Sequence, residues 1–268
     1  EDRWTRAAVL TSIAGRAPEF LARLSSGDFL GSDKGLPWLN DLATMIGQAK
    51  DKPAIEKVVA DLFADGVSDD LRGRVVLAVG AGLKRARGSL KATLTADAWK
   101  RLDPLFDAAV KTADSNAAPD RRASAIALIG LSGPSRSLEA LPALLDARQP
   151  SQVQLAALRA LAEQTGPTVA KAILEQWKTM SPTARREAAE VLFSRAEWIS
   201  ALLDALESKT LATSEIDPLR LKQLRENPVS EVKARALKLF GSADAPRARA
   251  AVITAFKSAL DGEGDREK

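Results

Sequence analysis

One opening recurs through the middle of this chain: Ala118-Pro119-Asp120-Arg121, Gln149-Pro150-Ser151 and Ser181-Pro182-Thr183. The prolines lie thirty-one and thirty-two residues apart. A fixed period of that size marks one supersecondary unit stacked on copies of itself. Residues 150–180 give the unit in full. Pro150 can occupy a first helical position, where a missing N–H costs nothing. Val153, Ala156, Ala157, Ala160 and Leu161 then fall on one helical face. Gln164-Thr165-Gly166 ends that helix, glycine suiting a left-handed C′ position, and Pro167 starts another, with Val169, Ala170, Ile173, Leu174 and Trp177 on one side. The next unit opens with Ser181 as N-cap and carries Ala184, Ala188, Val191 and Leu192, then Ile199, Leu202, Leu203 and Leu206. No such helix has enough apolar surface to stand alone in water. Stacked neighbours would bury a continuous core, which predicts a solenoid.

Composition supports helices over strands. Hydrophobic residues make up 46% of the 268 but aromatics only 4%, so the core must be mostly Ala, Leu, Val and Ile. The chain has no Cys, His or Tyr. That excludes, within it, thiolate catalysis, disulfides, covalent c-type haem, most zinc sites and any Ser-His arrangement. The formal charge of +4 is a mild excess, compatible with a nucleic-acid partner without pointing to one. No apolar run approaches the roughly 20 residues needed to span a bilayer. The chain opens at Glu1 rather than Met and is expected to be an excised piece, so a missing leader carries no information.

Taken in order, residues 1–14 and 18–24 predict a first helix pair and 25–35 a glycine-rich loop. Helices follow over 36–48 (Leu39, Leu42, Met45, Ile46) and 53–64 (Ile55, Val58, Val59, Phe63). A further one, capped by Asp69 or Asp70, carries Leu71, Val75, Val76, Val79 and Leu83. Residues 84–95 predict an exposed basic loop, and 96–113 one long helix with Trp99, Leu102, Leu105, Phe106 and Val110. The regular array runs from Pro119 to about Ser208. An extra helix over 215–225 precedes the last opening, Asn227-Pro228, and residues 246–260 close the stack. The expected architecture is all-α: about thirteen to fifteen helices, mostly antiparallel pairs, in a right-handed curved α-solenoid over 1–260. Residues 261–268, charged and glycine-containing, are expected to be a linker toward a further domain.

Such pairs resemble HEAT and armadillo-type repeats, although a HEAT unit is usually about 40 residues. A second resemblance covers nearly the whole chain. Residues 36–47 (LPWLNDLATMIG), 102–133, 150–161 (PSQVQLAALRAL), 216–240 (IDPLRLKQLRENPVSEVKARALKLF) and 259–268 look like the helical-repeat region of large multidomain haem-binding proteins of planctomycete-type bacteria, often labelled membrane-bound dehydrogenases. In that family a dehydrogenase-like β-propeller comes first, the HEAT-like array follows, and a c-type cytochrome domain comes last. The resemblance implies a non-catalytic scaffold between the other two domains, with those neighbours or another protein as partners. It also implies an extracytoplasmic, periplasmic location. It implies no catalytic, cofactor-binding or metal residues here, haem c being expected only in a following domain. Neither the propeller nor the haem-attachment Cys-x-x-Cys-His is in this chain. The alternative is a general HEAT-like binding solenoid for protein or nucleic acid, nucleic acid being the less expected. A third, an enzyme working with Asp or Glu alone, has no catalytic constellation to support it.

Four features could still carry function. The basic stretch 84–91 and the pairs Arg121-Arg122 and Arg185-Arg186 could line a groove that tracks phosphates, or be solvated helix starts and a loop. Asp120, Glu187 and Glu190 dilute their field and favour the second. Gly80-Ala81-Gly82 lacks the preceding strand and third glycine of a dinucleotide loop, and is expected to be a helix-packing pair. Asp261-Gly262-Glu263-Gly264-Asp265 alternates oxygen ligands as a calcium loop does, but no closing bidentate Glu follows. Trp4, Trp38, Trp99, Trp177 and Trp198 could anchor a partner or relay electrons, but each sits near an apolar face and is expected in the core.

Overall fold

A computed structural model describes residues 3–25, 29, 32–63 and 67–241, and every regular element among them is a helix. Proline sets many of the starts. It stands in the first turn of α3 (Leu36–Ala49), α4 (Lys52–Leu62), α8 (Asp103–Asp114), α9 (Pro119–Leu131), α10 (Pro134–Ala140) and α12 (Pro167–Glu175). Other starts are capped by side chains that accept a first-turn N–H: Ser68 for α5 (Asp69–Arg85), Ser89 for α6 (Leu90–Thr93) and Thr95 for α7 (Ala96–Lys100). Before α3 stand α1 (Arg3–Ser12) and α2 (Ala17–Ser25); α11 (Ser151–Ala162) and α13 (Pro182–Phe193) complete the central stretch.

The chain divides into two compact units, Glu1–Val191 and Leu192–Lys268. In the first, α3 packs on α5, α5 on α9 and α9 on α11. These four helices run parallel. Gly47 meets Gly82 near the C-terminal ends of α3 and α5, and Gly130 meets Ala160 near those of α9 and α11. Gln152 donates to Asp120 at the opposite ends of α9 and α11. On the other side of this layer, α8 packs against α5 and α9, α10 against α9 and α11, and α12 against α11. The core lies between, with Leu39, Leu42, Leu83, Phe106, Ile126, Ile129, Leu141 and Leu161 shut off from solvent.

Local geometry repeats with the sequence period. Ala118 before α9 and Pro150 before α11 have nearly the same backbone angles (φ −53°, ψ 142° and φ −53°, ψ 141°). Gly133 and Gly166, which precede α10 and α12, both stand at φ +98°, where a side chain would be strained. Pro150 therefore sits one residue before its helix, whereas Pro119 begins one.

In the second unit, α16 (Ser230–Phe240) packs on α14 (Ala196–Glu207) and α15 (Pro218–Arg225). Arg235 holds α16 to α14 through a fork on Glu207, Nε to Oε1 and Nη2 to Oε2, each 2.9 Å.

Several details depart from the sequence expectations. The long helix over 96–113 is two, α7 and α8, broken at Arg101-Leu102 because Asp103-Pro104 begins a new helix. The basic loop over 84–95 is partly ordered as the end of α5 and the short α6, with Leu90 and Leu94 buried. Ser68, not Asp69 or Asp70, caps α5. The extra helix is shorter than 215–225, running Pro218–Arg225. Trp177 and Trp198 are buried, but Trp4 is 78% exposed. Residues 246–260 and 261–268, assigned to the end of the stack and the linker, lie outside the described residues.

Where α3 crosses α5, backbone meets backbone. A Cβ on Gly82 would stand 2.1 Å from the Thr44 carbonyl oxygen, and one on Gly47 2.2 Å from that of Val79. A Cβ on Gly80 would meet only the movable ends of Leu131 and Leu90. Gly82→Ala is therefore expected to lower stability by roughly 3 kcal/mol, overpacking outweighing about 1 kcal/mol gained in helix propensity. Gly80→Ala should change it by less than about 1 kcal/mol. Urea denaturation of the two variants checks the difference.

Candidate interaction surface

Four parallel helices in one layer place their N-termini along one edge and their C-termini along the other. The sequence matches charge to those ends. Asp69, Asp70 and Asp120 occupy first turns; Lys84, Arg85 and Arg159 occupy last turns, and Lys50 caps α3.

A second regularity lies at the fourth residue of α5, α9, α11 and α13. Arg72 in α5 donates from Nε to the Leu62 carbonyl (2.7 Å). Arg122 in α9 donates to that of Ala113 (2.8 Å), and Arg185 in α13 to that of Trp177 (2.9 Å). Arg185 also reaches the Lys178 carbonyl, 2.9 Å from Nη2. At the same position in α11, Gln154 donates to the Gln149 carbonyl (2.7 Å). The carbonyls at a helix C-terminus have no partner within their own helix. For Leu62 and Ala113, at the ends of α4 and α8, an arginine of the next helix supplies it and its charge suits the negative end of the dipole; Trp177 and Gln149 lie in the connections after α12 and before α11. The latches are also linked: Arg122 Nη2 donates to Gln149 Oε1 at 2.8 Å, and Gln154 Oε1 accepts from the Ser181 hydroxyl at 2.7 Å.

This places the candidate phosphate-binding residues. Arg122 is buried and Arg185 half-buried, and the latches engage both, so neither lines a phosphate groove. Arg121 and Arg186 are exposed. The stretch 84–91 is not brought together with either pair; Lys84 instead forms a 2.5 Å ion pair with Glu163, reaching from α5 to the end of α11. Gly80 and Gly82 are both buried at helix contacts, Gly82 against α3 and Gly80 against α9. The candidate calcium loop at 261–265 lies outside the described residues.

The Lys84–Glu163 pair crosses a groove. Because Ala123, Ala127 and Gly130 carry almost no side chain, α9 is recessed between α5 and α11. About 1600 Å³ of open space lies above it. Leu77 and Ala81 form one wall and Ala156 and Ala160 the other, while Lys91 and Arg159 stand at the margin. A second groove shares Leu77 and Ala81 and continues toward the N-terminal ends of α5 and α9.

No family model, curated protein or solved structure matches this chain. What it can do must therefore be argued from its own surface. Among the described residues, no three carboxylates converge as metal ligands, and no helix is long and apolar enough to cross a membrane.

Among the described residues, three carboxylates, half-buried Glu56 and Asp146 and exposed Glu207, have pKa values held below the ordinary range. For Glu56 the cause is the Thr95 backbone N–H, 2.7 Å away, which ties α4 to the start of α7. For Asp146 it is Arg148, and for Glu207 it is Arg235. A depressed carboxylate contributes stability above its unfolded pKa, and the contribution is lost as pH falls through the folded value. Glu56→Gln should therefore lower the urea midpoint at pH 7, and the gap to the parent should close as the pH drops below 4.5 toward the lower folded pKa. A gap that stays constant down to pH 3 would show that the charge on Glu56 plays no part.

The latches make a sharper mutational prediction. Arg122→Ala leaves the Ala113 carbonyl without its buried donor and should cost about 2 kcal/mol, and Arg122→Lys should recover only part of that because an ammonium lacks the planar fork whose Nε and Nη2 address the two acceptors. Arg121→Ala, one residue away and exposed, should stay within about 0.5 kcal/mol. Thermal unfolding of the three variants tests this.

Proposed function

We propose that this chain is a non-catalytic scaffold and interaction module, a HEAT-like α-solenoid of helix pairs. In the parent protein it would hold a dehydrogenase-like β-propeller and a c-type cytochrome domain at a set separation, outside the cytoplasm. The observation that carries the solenoid part is the latch at the fourth residue of α5, α9, α11 and α13. One kind of contact ties each of these helices to the segment before it, at the repeat period from Arg122 through Gln154 to Arg185. A protein built this way grows by adding units and gains stiffness and a long lateral surface. The placement between propeller and cytochrome rests on the family resemblance, which also supplies the haem, bound by the cytochrome rather than by this chain.

A general binding solenoid is the second reading, and the groove over α9 favours it. The two differ in what flanks the chain. The coding sequence around it should encode a Cys-x-x-Cys-His shortly after Lys268 and a propeller before Glu1. If no Cys-x-x-Cys-His is encoded there, the placement fails and the general binding module stands.

A further inference from the structure

We propose that the groove over α9 takes an amphipathic helix with acidic flanks, contributed by a partner polypeptide. The proposal rests on the interaction-module reading but not on its placement between two redox domains.

The shape comes first. A floor of Ala123 and Ala127 between walls bearing Leu77, Ala81 and Ala156 is apolar, open and long. Helices approach most closely where side chains are small, and a recessed helix between two raised ones is a ready seat for another. The occupant should itself be helical. The backbone groups of α5, α9 and α11 are consumed within those helices, so an extended peptide would find no main-chain partners, whereas a helix brings its own.

Charge gives the second half. Four charged side chains line the groove: Lys84, Lys91, Arg159 and Glu163. The one carboxylate is already engaged by Lys84 at 2.5 Å. Arg159 is 71% exposed and only 3.8 Å from Glu187, a loose pair in water. Lys91 has no ion-pair partner among the described residues, and Arg85 and Arg87 are exposed just beyond the margin. The field above the apolar floor is therefore positive. Glu or Asp flanking the apolar stripe of an incoming helix would complement it and could draw Lys84 away from Glu163. A nucleic acid would meet the same cations but would have to cover an alanine and leucine floor with phosphate, which a helix stripe covers better.

The absence of cysteine allows a local probe. Ala127→Cys on the floor and Lys111→Cys on α8, outside the groove, would each carry an environment-sensitive fluorophore. The titrants are a leucine-striped helical peptide of about 18 residues, five turns, flanked by Glu, and the same peptide flanked by Lys. At low salt the Glu peptide should give saturable binding reported by the label at 127 and not at 111, and the Lys peptide should not. Reversing the margin with Lys91→Glu and Arg159→Glu should weaken the Glu peptide about tenfold or more and admit the Lys peptide. Both variants are surface changes, and circular dichroism checks that they fold. Binding can also be read without any label, by anisotropy of a tagged peptide, should Ala127→Cys perturb the floor. No saturable binding of the Glu peptide, equal binding of both peptides, or indifference to the reversal would overturn the proposal. Displacement of the Glu peptide by equimolar duplex DNA would overturn it in favour of a nucleic-acid partner. The flanking-gene result bears on the placement alone, so the two can fail separately.

Discussion

A helix that ends against another element has a set of carbonyls to satisfy, and at the ends of α4 and α8 an arginine of the following helix does it. The latch residues Arg72, Arg122, Gln154 and Arg185 are a registration device as much as a source of stability. Apolar faces made of Ala, Leu and Val are interchangeable by themselves; one such face slides along another at little cost. A directional hydrogen bond from the fourth residue of a helix to a carbonyl just before that helix fixes the angle at which the chain re-enters the layer. The openings of α9 and α11 repeat that angle, as the matched backbone at Ala118 and Pro150 records. The two-edged charge pattern follows from the parallel order of α3, α5, α9 and α11.

The same physics sets how closely the layer packs. Where α3 crosses α5, Gly47 and Gly82 bring backbone to backbone; where α9 meets α11, Gly130 rests on Ala160. Between these crossings α9 presents Ala123 and Ala127 outward, and small side chains there leave a trough. The groove is thus a by-product of close packing. Small residues that let α9 sink between α5 and α11 also bare its surface. The ion pair between Lys84 and Glu163 spans the trough at one end, tying together two helices that are not neighbours in the layer.

Much of this was legible in the sequence, and the reasons for the misses are specific. The helical period, the proline starts, Ser181 as a cap and the role of Gly80 and Gly82 could all be read from residue types and spacing. Arg122 and Arg185 could not be read as buried, because a double arginine at a helix start looks the same whether it faces water or carbonyls. Their signal was positional. Counting four residues from the starts of α5, α9, α11 and α13 gives Arg72, Arg122, Gln154 and Arg185, a series visible only once the starts are fixed to within a residue. The break between α7 and α8 was signalled by Asp103-Pro104, but the apolar spacing from Trp99 to Val110 carried across it without interruption. Periodicity alone does not register a kink that keeps the same face buried. Trp4 shows the reverse: it shares a helix with Leu10, yet only Leu10 is buried.

A surface assembled this way can vary what it binds without disturbing what holds it together. The latches point back toward the preceding segment, the glycine crossings lie within the layer, and the residues at the groove margin do neither. Changing Lys91 or Arg159 alters the field over α9 and leaves every latch intact. Changing Arg122 disturbs the re-entry of the chain and leaves the margin as it was. Stability and recognition therefore sit on separate residues of the same helices, α11 carrying Gln154 for one and Arg159 for the other, five positions apart and so on different faces of one rod.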